Sequence, residues 1–225
     1  MRTLQEQIDL TIVIPTWNAA GTLAQCLEGL AGERIVVADG GSADETMAVA
    51  RAAGAAVISA SRGRGEQLAA GARAAGGTWL LFLHADSRLD GGWAEAVRGF
   101  AAAGADRAGY FDLALDDPAP AARRVERLAA WRSRVLGLPY GDQGLLVPRA
   151  LYEAVGGYAA IPLMEDVDLV RRLGRNRLAP IGARITTSAR RYREDGYIGR
   201  PLRNLCCLSL YFAGVAPHRI ARLYG

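Results

Sequence analysis

The sequence contains no lysine, and all 27 of its basic residues are arginine. Histidine and cysteine are also scarce, with two and three residues respectively. Two histidines exclude a zinc site built on His ligands. Cys26 stands far from the adjacent pair Cys206 and Cys207, which is neither a disulfide framework nor a zinc-binding pattern. We therefore expect a reduced, cytoplasmic protein.

The sequence also shows no signal-peptide pattern and no long apolar run. The N-terminus has no basic segment followed by an apolar one, so we expect no signal peptide. No apolar run approaches the roughly 20 residues that span a bilayer. The longest late run, Leu205 to Ala216, predicts either a buried helix, a dimer contact or, with the arginines around it, a helix resting on a membrane surface. The arginines form no stripe with interleaved aromatics, which argues against nucleic-acid binding.

The first half of the chain alternates β-type and α-type segments. Short β-branched or apolar runs precede Pro15, Asp39, Ser59 and His84, and helix-forming segments lie between them with short loops. This order predicts a parallel, Rossmann-like sheet in an α/β protein.

The second half is less regular. It predicts strands over 108–115 (a possible sheet edge), 144–148 and 181–188, helices over 93–103, 121–136 and 165–174, and a helical tail over 200–223 that Pro217 interrupts. No linker or repeat divides the sequence, so we expect one domain over 1–225.

Asp86 follows the fourth predicted strand within the segment Leu83-His84-Ala85-Asp86. Ligands of open α/β sheets bind outside the carboxyl ends of the strands. A carboxylate at that edge can hold Mg²⁺ or Mn²⁺ against an anionic ligand. The alternative is that Asp86 caps the next helix.

The second strand also ends in an acid, within Asp39-Gly40-Gly41-Ser42. Two glycines before a helix N-terminus let the backbone approach an anion, and a strand-end acid can bind a base or ribose. The alternative is a capped turn, with Ser42 and Glu45 as a capping box. Asn18, after the first strand, is predicted to cap the first helix.

The segment Arg62-Gly63-Arg64-Gly65-Glu66-Gln67 is the next candidate. Leu68 stands where a dinucleotide fingerprint requires glycine, and the segment follows the third strand, which excludes that fold. What remains is a loop whose two arginines could bind a diphosphate, or a solvated charged loop.

Three acids, Glu165, Asp166 and Asp168, open a predicted helix. The helix dipole favours acids there, but a partly buried carboxylate can also act as a general base toward a hydroxyl. The polar turn over 141–144 is either a plain turn or the lip of an acceptor pocket.

Taken together, these motifs resemble the family 2 glycosyltransferases of the GT-A fold. The motifs occur in the same order, and the resemblance is greatest to a small bacterial subgroup with Leu-His-Ala-Asp and Leu-Met-Glu-Asp sequences. In this chain the matching segments are Ile12–Asn18, Asp39–Ser42, Leu83–Asp86, Gly141–Gln143, Leu163–Asp166 and Thr186–Arg191.

The resemblance implies a GT-A domain with a mixed, mostly parallel sheet and a helical C-terminal tail. A nucleotide-sugar-binding half would span about 10–105, an acceptor and catalytic half about 106–199, and the tail about 200–225. The enzyme would transfer a single hexose-type sugar, with inversion, from a nucleotide-diphospho-sugar to an acceptor hydroxyl, since the Gln-x-x-Arg-Trp motif of processive synthases is absent.

The resemblance also implies roles for individual residues. Asp166, beside Glu165, would be the catalytic base, Asp39 would contact the base of the nucleotide, and Asp86 would hold Mg²⁺ or Mn²⁺, with His84 in place of the motif's first acid. The donor-binding residues would be Pro15, Thr16, Trp17, Asn18, Asp39, Gly40, Gly41, Ser42, Arg62, Arg64, Gln67, His84, Ala85 and Asp86.

Two other functions fit parts of the pattern. A non-catalytic nucleotide-sugar-binding module would keep the fold without the activity. A sugar nucleotidyltransferase would need a Gly-rich basic loop after the first strand, where this chain has Pro15 to Asn18. For the glycosyltransferase we expect a cytoplasmic enzyme, with a lipid-linked acceptor, peripheral contact at the inner face of the membrane and a homodimer as further options.

Overall fold

The computed structural model describes residues 8–224. Its strands are β1 (Leu10–Thr16), β2 (Ile35–Asp39), β3 (Ala56–Ser59), β4 (Trp79–Phe82), β5 (Arg88–Leu89), β6 (Ala108–Leu115), β7 (Leu145–Pro148) and β8 (Leu178–Thr187). Its helices are α1 (Ala20–Glu28), α2 (Thr46–Ala52), α3 (Arg64–Ala74), α4 (Trp93–Ala102), α5 (Pro120–Leu136), α6 (Arg149–Ala154), α7 (Glu165–Leu173), α8 (Arg190–Asp195), α9 (Gly199–Phe212) and α10 (Pro217–Tyr224).

All eight strands form one mixed sheet in the order β3-β2-β1-β4-β7-β6-β8-β5. The first four are parallel to one another, as the alternating pattern predicts. β7 then runs antiparallel to both β4 and β6, and β6 is parallel to β8. The α/β prediction is confirmed, but the prediction that 108–115 lies at a sheet edge is wrong, because β6 lies between β7 and β8.

The central strands β1, β2, β4, β6 and β7 are buried on both faces, which explains their nearly continuous apolar sequences. Successive residues of β1 point to opposite faces. Ile12 and Ile14 join the core cluster that contains α1 and α4, whereas Val13 joins the cluster that contains α3, α7 and α9. The helices therefore cover both sides of the sheet and leave the carboxyl ends of the strands open.

The C-terminal tail differs from its prediction in detail. Pro217 is the first residue of α10 rather than a break within one helix, a position that suits its fixed φ angle and missing N–H. The chain turns before it at Gly214, whose φ of 83° is in the left-handed region. The short helix α8 and the two-residue strand β5 were not predicted. No helix within residues 8–224 has the length and hydropathy needed to cross a membrane.

Helix α3 packs on β1 so closely that Gly71 has no room for a side chain. A Cβ atom at Gly71 would lie 2.3 Å from Cγ1 of Val13, which is fully buried. We predict that Gly71→Ala lowers the free energy of unfolding by about 1–3 kcal/mol, since the overpacking strain exceeds the gain in helix propensity. Urea unfolding measures the change, with Gly99→Ala in α4 as the control, because Gly99 has no neighbouring atom within 4 Å. Equal stabilities of the two variants would contradict this packing.

Candidate functional site

The candidate site lies where β1, β2 and β4 end at the same edge of the sheet. β1 pairs with β2 on one side and with β4 on the other, so the direction in which strands are added reverses at β1. Such a reversal opens a crevice outside the carboxyl ends of the strands. Asp39 and His84 stand at the ends of the two neighbouring strands.

The Asp39 carboxylate holds the turn after β2 together. One of its oxygens accepts hydrogen bonds from the hydroxyls of Thr16 (3.0 Å) and Ser42 (2.5 Å). The other accepts the backbone N–H groups of Gly41 (3.0 Å) and Ser42 (2.8 Å). These four bonds fill the acceptor positions of the carboxylate. A direct contact between Asp39 and a nucleotide base therefore requires one donor to move, and the Ser42 hydroxyl can do so by rotation.

These bonds also determine the ionisation of Asp39. Burial favours the neutral acid, but the hydrogen bonds from Ser42, Thr16 and Gly41 outweigh burial and lower the pKa of the Asp39 carboxyl. The acid in this turn is therefore a carboxylate at neutral pH.

The loops after β1 and β2 are tied to each other by side-chain bonds. The Asn18 side chain accepts the N–H of Ala43, and the Ser42 hydroxyl accepts the N–H of Asn18. The Asp44 carboxylate accepts the N–H of Ala20 in the first turn of α1. The prediction that Asn18 caps α1 is therefore wrong, because that bond comes from Asp44, and the predicted Ser42–Glu45 capping box does not form.

The two arginines of the 62–67 segment have separate partners. The guanidinium carbon of Arg62 lies 3.6 Å from the ring centroid of Trp17, a cation–π contact at the mouth of the crevice. Arg64, at the start of α3, forms an ion pair with Glu165 (3.3 Å). The segment is therefore not a free charged loop, and it divides between the nucleotide side and the α7 side of the site.

Gln67 and Gly65 make close contacts with the protein backbone. The amide of Gln67 is buried and donates to the carbonyls of Thr16 (2.5 Å) and Ala38 (3.0 Å) near the ends of β1 and β2. A Cβ atom at Gly65 would lie 2.3 Å from the carbonyl oxygen of Ala159. Gln67 was predicted to contact the donor, but both of its amide N–H contacts are to the protein backbone.

On the other side of the crevice, His84 meets the turn of Gly141 and the Asp166 carboxylate. A Cβ atom at Gly141 would lie 2.7 Å from Nε2 of His84 and 3.4 Å from Oδ2 of Asp166. That same oxygen accepts the N–H of Gly141 at 2.7 Å. Burial, together with the charges of Arg64 and Arg191, lowers the pKa of His84 well below its usual range, so the imidazole is neutral.

The backbone before Asp166 is held in an unusual conformation. Met164 has a φ of 67° and Asn18 a φ of 48°, and these are the only non-glycine residues between 8 and 224 with positive φ. Such strain concentrates where the surroundings fix a functional geometry. Met164 directly precedes α7, which carries Asp166, and Asn18 lies two residues before α1.

Glu165 differs from its neighbour because it faces the protein interior. Its side chain is 1% exposed and contacts Arg64. Burial raises the pKa of Glu165 to about 7, and the Asp166 charge adds to this rise, whereas Arg64 opposes it. Asp166 is only partly buried and lies at the cleft formed by His84, Gly141 and Tyr158. Both predicted catalytic acids line this cavity, and Asp166 is the more exposed of the two.

The Gly141 turn is braced by the buried Gln143. Its amide oxygen accepts bonds from Arg132 (2.9 Å) and Ser133 (2.7 Å) of α5, and its amide nitrogen donates to the carbonyl of Phe111 (3.1 Å). The predicted pocket lip is thus a 3₁₀ turn anchored to α5 and β6. Sequence reasoning missed Arg132, Ser133 and Tyr158, whose roles depend on elements distant in the chain.

Asp86 lies past the His84 turn, in a small cleft lined by Thr22, Gln25, Asp116 and Thr187. No three His, Cys, Asp or Glu side chains among residues 8–224 come together as a metal cage. However, Oδ1 of Asp142 is buried without a hydrogen-bond partner, and burial, opposed by Arg132 and reinforced by the charges of Asp166 and Asp86, raises the Asp142 pKa. This excess of acid fits a cation that completes its coordination with ligand oxygens.

The structure thus gathers the predicted site residues into three groups. Around the ends of β1 and β2 lie Pro15, Thr16, Trp17, Asn18, Asp39, Gly40, Gly41, Ser42, Arg62 and Gln67. Around the start of α7 lie Arg64, His84, Glu165 and Asp166. Ala85 and Asp86 extend from His84 toward the third region, near Thr187.

Comparison with known sequences identifies the first half of the chain. Residues 11–113 match the model of the family described as "Glycosyl transferase family 2". This match confirms, over residues 11–113, the resemblance to the family 2 glycosyltransferases. Curated proteins give no match to the sequence.

Solved structures share the fold. Glucosyl-3-phosphoglycerate synthase from Mycobacterium tuberculosis, in complex with Mn²⁺, UDP and glucosyl-3-phosphoglycerate, has 20% identity and a TM-score of 0.55, over 82% of this chain and 72% of that one. TarS of S. aureus in complex with UDP-GlcNAc has 14% identity and a TM-score of 0.64, over 96% and 70%. The mannosyltransferase PcManGT from Pyrobaculum calidifontis, with GDP-Man and Mn²⁺, has 17% identity and a TM-score of 0.64, over 90% and 62%. The GT-A fold is thereby confirmed.

The Asp39 hydrogen bonds lead to a pH-dependent prediction. Asn at position 39 cannot accept all four bonds, so Asp39→Asn should lower the free energy of unfolding at pH 7 by about 1–3 kcal/mol. The folded pKa of Asp39 is depressed, so its stabilisation is present above the unfolded pKa of about 4 and is lost as the pH falls through the folded pKa. Urea unfolding should show that the difference in unfolding free energy between wild type and variant becomes smaller below about pH 4. Asp106→Asn, at an exposed acid with a long 3.9 Å ion pair, is the control, and a difference independent of pH would refute the assignment.

Proposed function

We propose that this chain, whose residues 11–113 belong to glycosyl transferase family 2, is an inverting enzyme that moves one sugar from a nucleotide-diphospho-sugar to an acceptor hydroxyl. The observation that carries the proposal is the position of Asp166. Its carboxylate opens α7, accepts the Gly141 N–H, and faces the same cleft as His84. A carboxylate held at the mouth of a nucleotide-binding crevice suits a general base.

The donor nucleotide would lie on the β1 and β2 side. Trp17 and Arg62 form an exposed, stacked pair there, which offers a flat surface to a base and a positive charge to a phosphate. The turn held by Asp39 keeps the Gly40 and Gly41 backbone in place beside it. Relatives of this fold have been solved with UDP, UDP-GlcNAc or GDP-Man, which supports a nucleotide-diphospho-sugar as the class of donor.

Asp86 would hold a divalent cation together with the donor's phosphates, helped by the unpaired oxygen of Asp142. Two of the relatives were solved with Mn²⁺. When bound, such an ion neutralises charge that develops on the leaving diphosphate. Local positive charge is needed, because residues 11–113 carry eight arginines against eleven acids, a net charge of −3. The average field of this half therefore does not attract an anionic donor.

Asp166 would take the proton of the acceptor hydroxyl as the acceptor oxygen attacks the anomeric carbon. The bond to the diphosphate breaks on the opposite face, so the configuration inverts and the diphosphate leaves with the electron pair. Each Asp166 oxygen accepts one backbone N–H, from Val167 and Gly141, which leaves a lone pair free on each for the hydroxyl. Neutral His84 can donate or accept one hydrogen bond beside it but carries no charge.

Replacing the base should affect turnover rather than donor binding. We expect Asp166→Asn to lower the rate of nucleoside diphosphate release by about 10²–10⁴-fold, with donor affinity nearly unchanged. Candidate donors, such as UDP-GlcNAc and GDP-Man, are first screened by thermal shift. Affinity is then measured by calorimetry and turnover by product release. Asp168→Asn is the control, since Asp168 opens the same helix but pairs with Arg172. Collapsed donor affinity with normal turnover of the bound donor would disprove the base assignment.

Replacing the cation ligand should affect binding. For wild type we expect Mn²⁺ to tighten UDP or GDP binding roughly tenfold or more, and for Asp86→Ala this gain should disappear. Isothermal titration with and without Mn²⁺ tests this directly and needs no acceptor. Asp90→Ala is a matched control, because Asp90 is an exposed acid nearby that bonds the Thr186 hydroxyl. If Mn²⁺ improves binding to wild type and to Asp86→Ala equally, Asp86 is not the ligand.

A further inference from the structure

Exposed large apolar side chains are concentrated on two helical segments. Ten such side chains occur within residues 8–224, and nine of them lie on α5 or between residues 198 and 223. The tenth is Trp17, which Arg62 covers at the candidate site. Scattered apolar residues on a surface need no explanation, but a concentration of this kind indicates an interaction surface.

On α9 and the residue before it, these side chains form one stripe, in which the polar Ser209 separates Leu205 from Phe212. Ile198, Leu202, Leu205 and Phe212 recur at spacings of four, three and seven, which places them on one face of the helix. They are 75%, 60%, 57% and 50% exposed. The stripe is about 21 Å long at the helical rise per residue. The opposite face of α9 is fixed to the protein by Arg200 and Cys207, which are buried.

Helix α5 carries a second stripe. Leu128, Trp131 and Val135 follow each other at spacings of three and four and are all exposed, whereas Val125 and Ala129 on the other face are buried. Exposed Trp131 is of particular interest, because tryptophan is the residue that membrane interfaces favour.

The bend between α8 and α9 packs against the N-terminal half of α5. Tyr197 packs against the small cluster formed by Ala122 and Val125 of α5 with Ala189. Ile198, the first residue of the α9 stripe, follows directly in the chain. We call the combined area, comprising α5 and residues 190–224, the α5–α9 surface.

The α5–α9 surface carries the positive charge of the protein. Helix α5 has five arginines and one glutamate, and residues 190–224 have seven arginines and two acids, which gives +4 and +5. The whole chain is +4, so the remaining residues sum to −5. Arg124, Arg127, Arg219 and Arg222 are exposed, and no acid within residues 8–224 forms an ion pair with them.

We propose that the α5–α9 surface binds the surface of an anionic lipid bilayer, with the apolar stripes at the headgroup boundary and the arginines on lipid phosphates. Amphipathic helices with arginine beside Trp, Leu and Phe bind in this way. A second copy of the chain fits less well, since it would bring two surfaces of the same strong positive charge together. The proposal is independent of the catalytic one, because the stripe residues lie outside the site.

The site opens beside this surface. Arg191 of α8 is near enough to His84 to influence its ionisation, and Tyr192 is similarly placed toward Asp142. Helix α8, which is part of the α5–α9 surface, therefore lies beside the cleft, and a bilayer bound there would lie near the acceptor side.

Vesicle sedimentation tests the proposal. We expect the protein to sediment with vesicles of 70% phosphatidylcholine and 30% phosphatidylglycerol, not with pure phosphatidylcholine, and to be released by 0.5 M salt through screening. Leu202→Ser with Leu205→Ser should weaken binding about tenfold or more. Arg219→Gln with Arg222→Gln should weaken it about fivefold per arginine. Leu128→Ser with Trp131→Ser tests the α5 stripe independently, should the α9 variant fold poorly.

The controls separate this surface from general charge and from activity. Arg51→Gln with Arg73→Gln removes two exposed arginines outside the surface and should leave vesicle binding unchanged. Asp166→Asn should bind vesicles like wild type even when it is inactive. The proposal fails if wild type does not bind anionic vesicles, or if the surface variants bind as well as the control. Light scattering tests for a dimer. If the wild type is a dimer that does not bind vesicles, and Leu202→Ser with Leu205→Ser makes it monomeric, the surface joins two copies of the chain and the proposal fails.

Discussion

The close packing of helix α3 against the sheet is the constraint on which the geometry of the site depends. At Gly71 the helix backbone packs directly on the Val13 side chain of β1, and at Gly65 it touches the loop that leads to α7. Between these contacts, Gln67 bonds the backbone carbonyls of both strand ends. Arg64, at the tip of α3, then reaches Glu165. One helix therefore sets the distance between the strand ends that would hold the nucleotide and the helix that carries Asp166.

The rest of the site is characterised by an excess of carboxyl side chains. Asp142 retains an unpaired buried oxygen, and Asp86 and Asp166 both raise its pKa. The nearby histidine adds no positive charge, because burial and two arginines keep it neutral. Such an arrangement is costly in the empty protein and becomes favourable when a cation and a diphosphate enter together. The strained backbone at Met164 adds to the same conclusion, since strain of this kind persists only where the surroundings impose it.

Local patterns predicted the parallel half of the fold and the positions of the acids, because hydrophobic runs and strand-end residues depend on near neighbours. They failed where partners are distant in sequence. Asn18 has the residue type of a helix cap, yet Asp44 supplies that bond and Asn18 bonds Ala43 instead. Strand β6 has the pattern of an edge strand, but β8 pairs with it from about 70 residues further along. Gln67 was predicted to bind the donor from its place in the loop alone, and the two backbone carbonyls that its amide contacts belong to strands distant in the chain.

The distribution of charge separates two kinds of electrostatic function. Residues 11–113 are net negative, so the proposed donor binding would depend on a few fixed contacts, namely Arg62 and a cation at Asp86, rather than on long-range attraction. The α5–α9 surface is strongly positive and has many solvent-exposed arginines, which suits a diffuse partner such as a charged lipid surface. All basic residues of the chain are arginines. The candidate site and the α5–α9 surface therefore differ in how each guanidinium group is held. In the site, Trp17 and Glu165 fix the side chains, whereas on the surface Arg219 and Arg222 remain free to follow lipid headgroups.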